Sequence, residues 1–410
     1  MAMKVDVAII GAGPAGLCAA IETARAGLSV IVVDEYFRPG GRLLGQLYED
    51  PKAPVQDRMW DGKKIAERLE QQVRHFNVTI LCGVSAWAVS KKWKIQLSGR
   101  SEKYLDAKAV LLATGAVERA VPLPGWTLPG VVSIGAAQTF TNVHHVAIGK
   151  RVIVVGIDPL SISVALEMKN KGIEIVRVVL PPVSPATVTL SSPIKAVKRL
   201  AEVSEFAPNA FLSTIGRITS GGLHRIAAYV LRLNLLRIKG VPILLRKCVT
   251  SIKGTGCVEA VNLQTVSIDG RPIGEPEEVL VDGVCLSGGL YPLVELAQVI
   301  GCPLVNIPEL GGVVPVHGPD MSTPIPGLFV AGNITGIENA KVAMAQGRLA
   351  GVTIARFLGR DTQVSIDDAI HEVDRVRNQS AFKFLPDIEK GRLKMHQLWT
   401  DMKLEKTGVM

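Results

Sequence analysis

The chain has 410 residues, of which 48% are hydrophobic and 20% charged, and 40 are glycine. This composition is typical of a globular α/β protein, and the length favours two interlocked domains. Aromatic residues make up only 5%, which argues against a stacking platform for single-stranded nucleic acid. The net charge of +9 fits ordinary surface charge, and a basic face for an acidic protein or an anionic membrane is the alternative. The basic stretches Lys195–Arg199, Arg225–Lys239 and Lys390–Lys403 carry apolar residues at helical spacing, as solvated amphipathic helices do.

Cysteine usage and hydropathy bear on the compartment. Six cysteines stand at positions 18, 82, 248, 257, 285 and 302, and no two form a CxxC pair. This pattern indicates buried free thiols in a reducing compartment rather than a disulfide frame, a zinc site or an iron–sulfur cluster. The apolar opening lacks the basic leader of a signal peptide, and no segment has 18 uninterrupted apolar residues. We therefore expect a cytoplasmic protein.

The first motif is a strand, a glycine-rich turn and a helix. Val5–Ile10 predicts a buried strand, the next six residues read GxGxxG, and Leu17–Ala26 continues at helical spacing. In such a turn the first glycine permits the bend, the second lets a pyrophosphate approach the backbone, and the third lets helix and strand pack closely. The helix amino terminus offers N–H groups and a positive dipole end to the phosphates. The predicted cofactor contacts in this turn are Gly11, Gly13, Pro14, Ala15 and Gly16.

An acid follows at the distance that a dinucleotide requires. Leu28–Val33 predicts the second strand, and Asp34 comes 18 residues after the glycine turn. A carboxylate there can accept hydrogen bonds from ribose hydroxyls, and the adjoining Glu35 can share or take that role. A Pro-Gly-Gly-Arg turn comes next, and its Gly41 and Arg42 are further predicted contacts, with an ordinary loop turn as the alternative.

Four further segments, together with these motifs, resemble a known family. Val110–Gly115 resembles the strand and ATG turn that passes beneath FAD in disulfide-reductase-like flavoproteins. The run from Gly115 to Val131, which reads GA-x-ER-x-x-P-x-PGWTLPGV, resembles the FAD-containing α subunits of heteromeric amine dehydrogenases. Relatives of these subunits include the sarcosine oxidase α subunit, dye-linked proline and hydroxyproline dehydrogenases, opine oxidases and the FAD subunit of hydrogen cyanide synthase. Val281–Pro292 and Thr323–Asn333 resemble the same group, so the resemblance covers residues 4–360.

The resemblance implies an α/β architecture of two dinucleotide-binding (Rossmann-like) domains of the disulfide-reductase-like FAD/NAD(P) type, the second inserted in the first. It assigns residues 1–117 with 281–360 to the FAD domain, 118–280 to the inserted NAD(P)-type domain and 361–410 to a helical tail. A second strand–helix–strand pattern over residues 151–179 supports two domains on pattern alone. The resemblance also favours FAD over NAD at the Pro-Gly-Gly-Arg turn. The contacts that it adds are Ala113, Thr114, Gly115, Gly332 and Asn333.

The inserted domain lacks the chemistry of the first motif. Its turn has Asp158 in place of the middle glycine, and the negative side chain opposes a pyrophosphate. No ribose-binding acid follows near Val179, and Arg177 is the one nearby candidate for a 2′-phosphate. We therefore expect a degenerate domain that binds no NAD(P), and a mononucleotide or no ligand is equally compatible.

Two features near the carboxyl end bear on a flavin. Asn333 replaces an aspartate found in many relatives, and its amide still accepts and donates, so FAD binding is expected to survive. A helix that begins near residues 338–341 is expected to direct its amino terminus at the flavin pyrimidine edge, where its dipole favours the anionic reduced flavin. The tail contains no cysteine, so any [2Fe–2S] relay of the kind some relatives carry must lie on another chain. Its short predicted helices dock either on the body or on a partner.

Few residues remain as candidates for metal binding or catalysis. His144 and His145 are adjacent and point in different directions, which suits a linker better than a metal site. Cys248 and Cys257 are interpreted as core thiols. We identify no catalytic base, nucleophile or metal ligand.

Three functions remain open. The first is a subunit whose FAD relays electrons between an acceptor and a partner that oxidises an amine or imino acid of the proline, hydroxyproline, sarcosine or opine type. Its expected partners are a flavin-containing β subunit with, optionally, a small iron–sulfur subunit, and the amine substrate lies on the partner. Neither nucleic acid nor a transmembrane segment is expected, and peripheral membrane contact stays open. The second function is a self-sufficient NAD(P)H-dependent flavin reductase, which Asp158 argues against. The third is a non-enzymatic scaffold stabilised by FAD.

Overall fold

Strands and helices alternate along the chain, as the predicted α/β class requires. The structure, a computed structural model, describes residues 3–50, 53–90, 92–99, 104–185, 187–203, 236–380 and 383–407. The strands are β1 (Met3–Ile10), β2 (Val30–Asp34), β3 (Leu47–Glu49), β4 (Met59–Asp61), β5 (Thr79–Cys82), β6 (Ser85–Ser90), β7 (Lys94–Ser98), β8 (Tyr104–Leu112), β9 (Ala116–Glu118), β10 (Val131–Ser133), β11 (Arg151–Val155), β12 (Glu174–Leu180), β13 (Leu236–Ile238), β14 (Val241–Lys253), β15 (Ala260–Val266), β16 (Pro272–Leu280), β17 (Gly283–Leu286), β18 (Leu290–Pro292), β19 (Leu304–Ile307), β20 (Gly312–Pro315) and β21 (Leu328–Val330). The α-helices are α1 (Pro14–Arg25), α2 (Gly62–His75), α3 (Ile134–Thr139), α4 (Pro159–Asn170), α5 (Pro193–Val203), α6 (Glu295–Ile300), α7 (Ala340–Phe357), α8 (Ile366–Gln379) and α9 (Ile388–Thr407).

The contacts divide the chain into two compact units. Unit 1 comprises Met1–Leu44, Gly62–Val117 and Leu290–Met410, and unit 2 comprises Gly45–Asp61 and Glu118–Gly289. Residues 45–61 thus group with the second unit, and the segment after residue 360 groups with the first. The assignment of an FAD domain and a degenerate NAD(P)-type domain to particular residues stays a prediction.

Unit 1 is built on a seven-stranded sheet in the order β5-β2-β1-β8-β7-β6, with β21 also pairing with β8. Strands β5, β2, β1, β8 and β21 run parallel, whereas β6 and β7 are antiparallel additions. The last four residues of β1 are all buried, as expected of a central parallel strand covered on both faces. The turns that follow β1, β2, β8 and β21 therefore meet at the carboxyl edge of this sheet, which is where ligands bind in such folds.

Helices α1 and α7 of unit 1 approach each other closely through small residues. A Cβ on Gly347 would lie 2.1 Å from the Ala15 carbonyl oxygen, and a Cβ on Gly351 would lie 2.9 Å from that of Ala19. Only glycine permits this approach at both α7 positions.

Unit 2 is built on an eight-stranded sheet in the order β10-β17-β11-β12-β14-β15-β16, with β13 pairing with β14. The strands from β10 to β14 in this order run parallel, and β15 and β16 extend the sheet antiparallel. Val152 and Val154 of β11 belong to one hydrophobic cluster, and Ile153 and Val155 belong to another. Because side chains alternate along a strand, unit 2 has a core on each face of its sheet.

The carboxyl-terminal helices dock on unit 1. Ile388, Met395 and Trp399 recur at helical spacing along α9 and pack against Leu310 and its neighbours around β19 and β20. Docking on the body, one of the two alternatives left open by the sequence, is therefore what the structure shows.

Two of the three basic stretches noted in the sequence lie on helices of the structure. Lys195–Arg199 lies on α5 and Lys390–Lys403 on α9, whereas Arg225–Lys239 lies outside the described residues up to position 235. Among the described helices, none combines the length and the apolar character needed to cross a membrane.

Candidate cofactor-binding site

The glycine-rich turn between β1 and α1 shows why each glycine is needed. Gly11 has φ +109°, and a Cβ there would lie 2.3 Å from the Ala113 carbonyl oxygen. A Cβ on Gly16 would lie 1.8 Å from the Gly11 carbonyl oxygen. A Cβ on Gly13, by contrast, would meet no described protein atom within 4 Å. The packing of the described residues therefore explains Gly11 and Gly16 but not Gly13, the position at which the motif predicts the approach of a pyrophosphate.

Asp34, at the end of β2, is turned toward the glycine-rich turn. Its Oδ2 accepts a hydrogen bond from the Ala12 amide at 2.6 Å, and its Oδ1 accepts one from the Tyr36 amide at 2.8 Å. Burial raises the pKa of the Asp34 carboxyl, although these two hydrogen bonds oppose the shift. Each carboxylate oxygen keeps a lone pair for a ribose hydroxyl. Glu35 is exposed, so Asp34 is the better placed of the two predicted acids.

The Pro-Gly-Gly-Arg turn lies directly against this first turn. The Gly40 amide donates to the Ala12 carbonyl oxygen at 2.8 Å, and a Cβ on Gly41 would lie 3.0 Å from the Gly13 Cα. Arg42 is exposed, and its guanidinium donates to the Ala116 carbonyl oxygen at 3.2 Å.

The ATG turn after β8, residues 113–115, lies beside the glycine-rich turn. The Ala113 amide donates to the Ile10 carbonyl oxygen at 2.8 Å, and the Thr114 hydroxyl donates to the Leu293 carbonyl oxygen at 2.7 Å. Gly115 follows with φ +77°, and a Cβ on it would meet no described atom within 4 Å.

The turn after β21 completes the set. Gly332 has φ +77°, and a Cβ on it would lie 3.0 Å from the Ala15 Cβ at the start of α1. Its amide donates to the Gln346 side-chain oxygen at 2.9 Å, and the Asn333 side-chain oxygen accepts from the Glu338 amide at 3.2 Å. The sequence does not predict roles for the side chains of Gln346 and Glu338. Gln346 binds the Gly332 amide in a separate turn, and Glu338 binds arginines of the tail.

These four turns form a cradle that fits a dinucleotide. All of them come from unit 1, and they meet around the first turn of α1, whose N-cap Gly13 supplies no capping side chain. Backbone N–H groups at a helix amino terminus beside an open glycine are a site for a pyrophosphate. Binding of FAD by these particular residues stays a prediction.

The corresponding turn of unit 2 is blocked by its own side chain. Asp158 caps α4: its carboxylate accepts from the Ser161 amide at 2.9 Å, from the Ser161 hydroxyl at 2.7 Å and from the Ser287 hydroxyl at 2.7 Å. The carboxylate therefore takes the place at the helix amino terminus that a phosphate would need. Arg177 forms an ion pair with Glu277 at 2.9 Å.

The remaining sequence candidates do not converge. His144 and His145 are exposed, Cys248 is buried in β14, and Cys257 is exposed, which contradicts its interpretation as a core thiol. Across the described residues, no three His, Cys, Asp or Glu side chains are arranged to hold a metal ion.

Sequence reasoning missed a buried acid in unit 2. Glu167 of α4 accepts hydrogen bonds from Asn142 at 2.5 Å, from Ser163 at 3.0 Å and from Gln138 at 3.2 Å. Burial raises the pKa of its carboxyl to about 7, even though these three donors oppose the shift. Glu167 stands near the end of a mostly apolar helix, and no motif in the sequence indicates that its side chain is buried.

Comparison with known proteins relates this geometry to a group of oxidoreductases. Residues 5–204 match the pyridine nucleotide-disulphide oxidoreductase family. An opine oxidase subunit from Agrobacterium tumefaciens (strain Ach5) is 28% identical over 362 residues, which are 85% of this chain and 64% of the relative. Hydrogen cyanide synthase subunit HcnB of Pseudomonas aeruginosa is 25% identical over 359 residues, 86% of this chain and 71% of the relative. The chain is a homologue of these subunits. Its predicted resemblance, its oxidoreductase class and its two-domain α/β fold are thereby confirmed.

Two further similarities are relevant. NADH dehydrogenase of Bacillus subtilis (strain 168) is 28% identical over 363 residues, 86% of this chain and 58% of the relative. The crystal structure of L-proline dehydrogenase from P. horikoshii has a TM-score of 0.63 at 22% identity, over 92% of this chain and 59% of that one, which shows the fold alone. The chain spans less than two thirds of the length of the opine oxidase relative, so the activity, substrates and partners of the whole relatives enter only as proposals.

Proposed function

We propose that this chain binds FAD and relays electrons as one subunit of a heteromeric dehydrogenase or oxidase acting on an amino or imino acid. The observation that carries the proposal is the cradle around Gly13 in a homologue of an opine oxidase subunit. When bound, FAD supplies reversible acceptance and release of electrons. Gly13 and Gly115 would leave room along the backbone for the cofactor, whereas Gly41 and Gly332 let their turns pack closely against the first one. Asp34 would accept hydrogen bonds from a ribose.

The division of labour between subunits is the finer part of the proposal. The sequence predicts neither a catalytic base nor a nucleophile in this chain, and substrate positioning and proton transfer each contribute orders of magnitude to the rate of a reaction. The names of the relatives describe subunits, which supports the existence of a partner chain. In the proposal, that partner oxidises a substrate of the proline, hydroxyproline, sarcosine or opine type. A flavin-containing β subunit, an optional iron–sulfur subunit and a cytoplasmic location stay part of the proposal.

The test measures dehydrogenase activity with an artificial dye as acceptor. We expect negligible turnover of proline, hydroxyproline, sarcosine, glycine or opines by the isolated, FAD-loaded chain. Turnover should appear when a cognate flavoprotein subunit is added. Substantial turnover of any of these substrates by the homogeneous chain alone contradicts the subunit proposal.

A second candidate function is reduction of FAD by NAD(P)H within this chain. The similarity to an NADH dehydrogenase favours it, whereas the Asp158 cap at the amino terminus of α4 opposes it. Anaerobic mixing with NADH decides between the two, because rapid bleaching of the flavin absorbance supports the reductase and an unchanged spectrum supports the relay.

A further inference from the structure

A buried ion cluster connects the tail to the turn after β21. Glu338, in that turn, has a side chain only 6% exposed, and two guanidinium groups pair with it. Arg377 of α8 donates to its Oε1 at 2.6 Å, and Arg392 of α9 donates to its Oε2 at 2.5 Å. Burial alone would raise the pKa of the Glu338 carboxyl, but Arg392 and Arg377 outweigh burial and hold that pKa below its ordinary value.

Arg392 also fixes the backbone of the same turn. Its Nη1 donates to the Thr335 carbonyl oxygen at 2.8 Å. A Cβ on Gly336, which has φ +142°, would lie 3.1 Å from Nη2 of this guanidinium. The turn is therefore shaped to admit Arg392, whose planar head contacts a carboxylate and a carbonyl at once.

Glu338 and Thr335, the residues that the two arginines bind, contact the predicted FAD-binding residues directly. The Glu338 amide donates to the Asn333 side chain at 3.2 Å, and the Thr335 hydroxyl donates to the Gly332 carbonyl oxygen at 2.9 Å. Gln346 closes the network, because it accepts from the Gly332 amide at 2.9 Å and donates to Glu338 at 3.5 Å. One residue thus separates each tail arginine from Gly332 or Asn333.

We propose that the carboxyl-terminal helices are part of the cofactor site, with Arg377 and Arg392 as positioning residues that hold the 332–339 turn in the conformation that binds FAD. The proposal rests on the proposed binding of FAD. Removing one partner of a buried ion cluster is strongly destabilising, so loss of either arginine, which frees one carboxylate oxygen, should let Glu338 move toward solvent. The turn, and with it Gly332 and Asn333, then loses its fixed geometry.

The experiment compares matched arginine variants of the full chain. Arg377→Met and Arg392→Met remove the two positioning groups. Arg375→Met is the control, since Arg375 lies on the same helix as Arg377 and pairs with Glu372, but its side chain is 57% exposed. FAD dissociation constants come from titration of each apoprotein, followed by quenching of flavin fluorescence. We expect about tenfold weaker binding for the first two variants, a typical coupling between linked sites, and a change within about twofold for the control. Arg392→Lys should recover part of the affinity because an ammonium reaches Glu338 but lacks the guanidinium fork.

Hydrogen exchange of the apoproteins separates positioning from general loss of structure. We expect faster exchange at the amides of residues 332–339 in Arg377→Met and Arg392→Met, with β1 and β8 as protected as in the wild type. Wild-type affinity in both variants, or faster exchange throughout unit 1, overturns the positioning role. A wild-type chain that binds no FAD overturns the proposed function, and the positioning role with it.

Discussion

Gly13 is the residue at which the FAD assignment can be tested most directly. A Cβ on Gly13 would meet no described protein atom within 4 Å, so Gly13→Val should leave the fold intact and block the approach of a pyrophosphate. We expect loss of FAD retention after purification, measured from the flavin absorbance per chain.

Two controls match this substitution. Gly256→Val introduces the same side chain at another glycine with no described atom near its Cβ, in unit 2. Asp158→Gly opens the blocked turn of unit 2, and the hydrogen bonds that it removes, with Ser161 and Ser287, lie within unit 2. Both should retain FAD. Equal loss of flavin in Gly13→Val and in Asp158→Gly would show that the two turns have been assigned the wrong roles.

Glu167 gives a prediction about pH. Its pKa of about 7 in the folded state lies above the ordinary value of 4.5, so the folded chain binds the extra proton between these pH values. The free energy of unfolding therefore falls as the pH rises from about 4.5 to about 7, by roughly 3 kcal/mol in total for a pKa shift of this size. Glu167→Gln should remove this slope. Urea unfolding at pH 5 and at pH 8 measures it, and an identical pH dependence in the variant and the wild type would refute the prediction.

At the scale of elements, the close contact between α1 and α7 makes Gly347 sensitive. Replacing a helix-interior glycine by alanine normally gains about 1 kcal/mol of helix propensity. Here the added Cβ would lie 2.1 Å from the Ala15 carbonyl oxygen, and such overpacking costs about 1–3 kcal/mol. We expect Gly347→Ala to lower the free energy of unfolding in urea, whereas Arg348→Ala, at the exposed neighbour, should change it little. A more stable Gly347→Ala variant would contradict the observed packing.

At the scale of the whole molecule, we expect one FAD per chain, bound without a covalent bond. No His or Cys occurs in the turns at residues 11–16, 34–42, 113–115 and 332–333, and these are the residue types through which a linkage would be sought. Acid precipitation of the purified protein should leave the flavin in the supernatant, and its absorbance gives the stoichiometry. Flavin that stays with the precipitate would contradict this expectation.

The sequence by itself determined the glycine-rich turns, the acid after β2 and the α/β class, since each depends on local rules. A glycine turn needs only its neighbours in the chain, and a buried parallel strand needs only a run of apolar residues. The same local rules predict that Asp158 is incompatible with a pyrophosphate. Its hydrogen bond with the Ser287 hydroxyl, 129 residues away in the chain, was not foreseeable.

The tertiary structure alone decided which distant residues meet. Residues 45–61 group with unit 2 and the tail with unit 1, because long-range packing rather than chain order selects the neighbours of a segment. Glu338, Arg377 and Arg392 look like ordinary surface charges in the sequence. Only when α8 and α9 fold onto unit 1 do they become a buried cluster, since a charge can be buried only where its partners arrive with it.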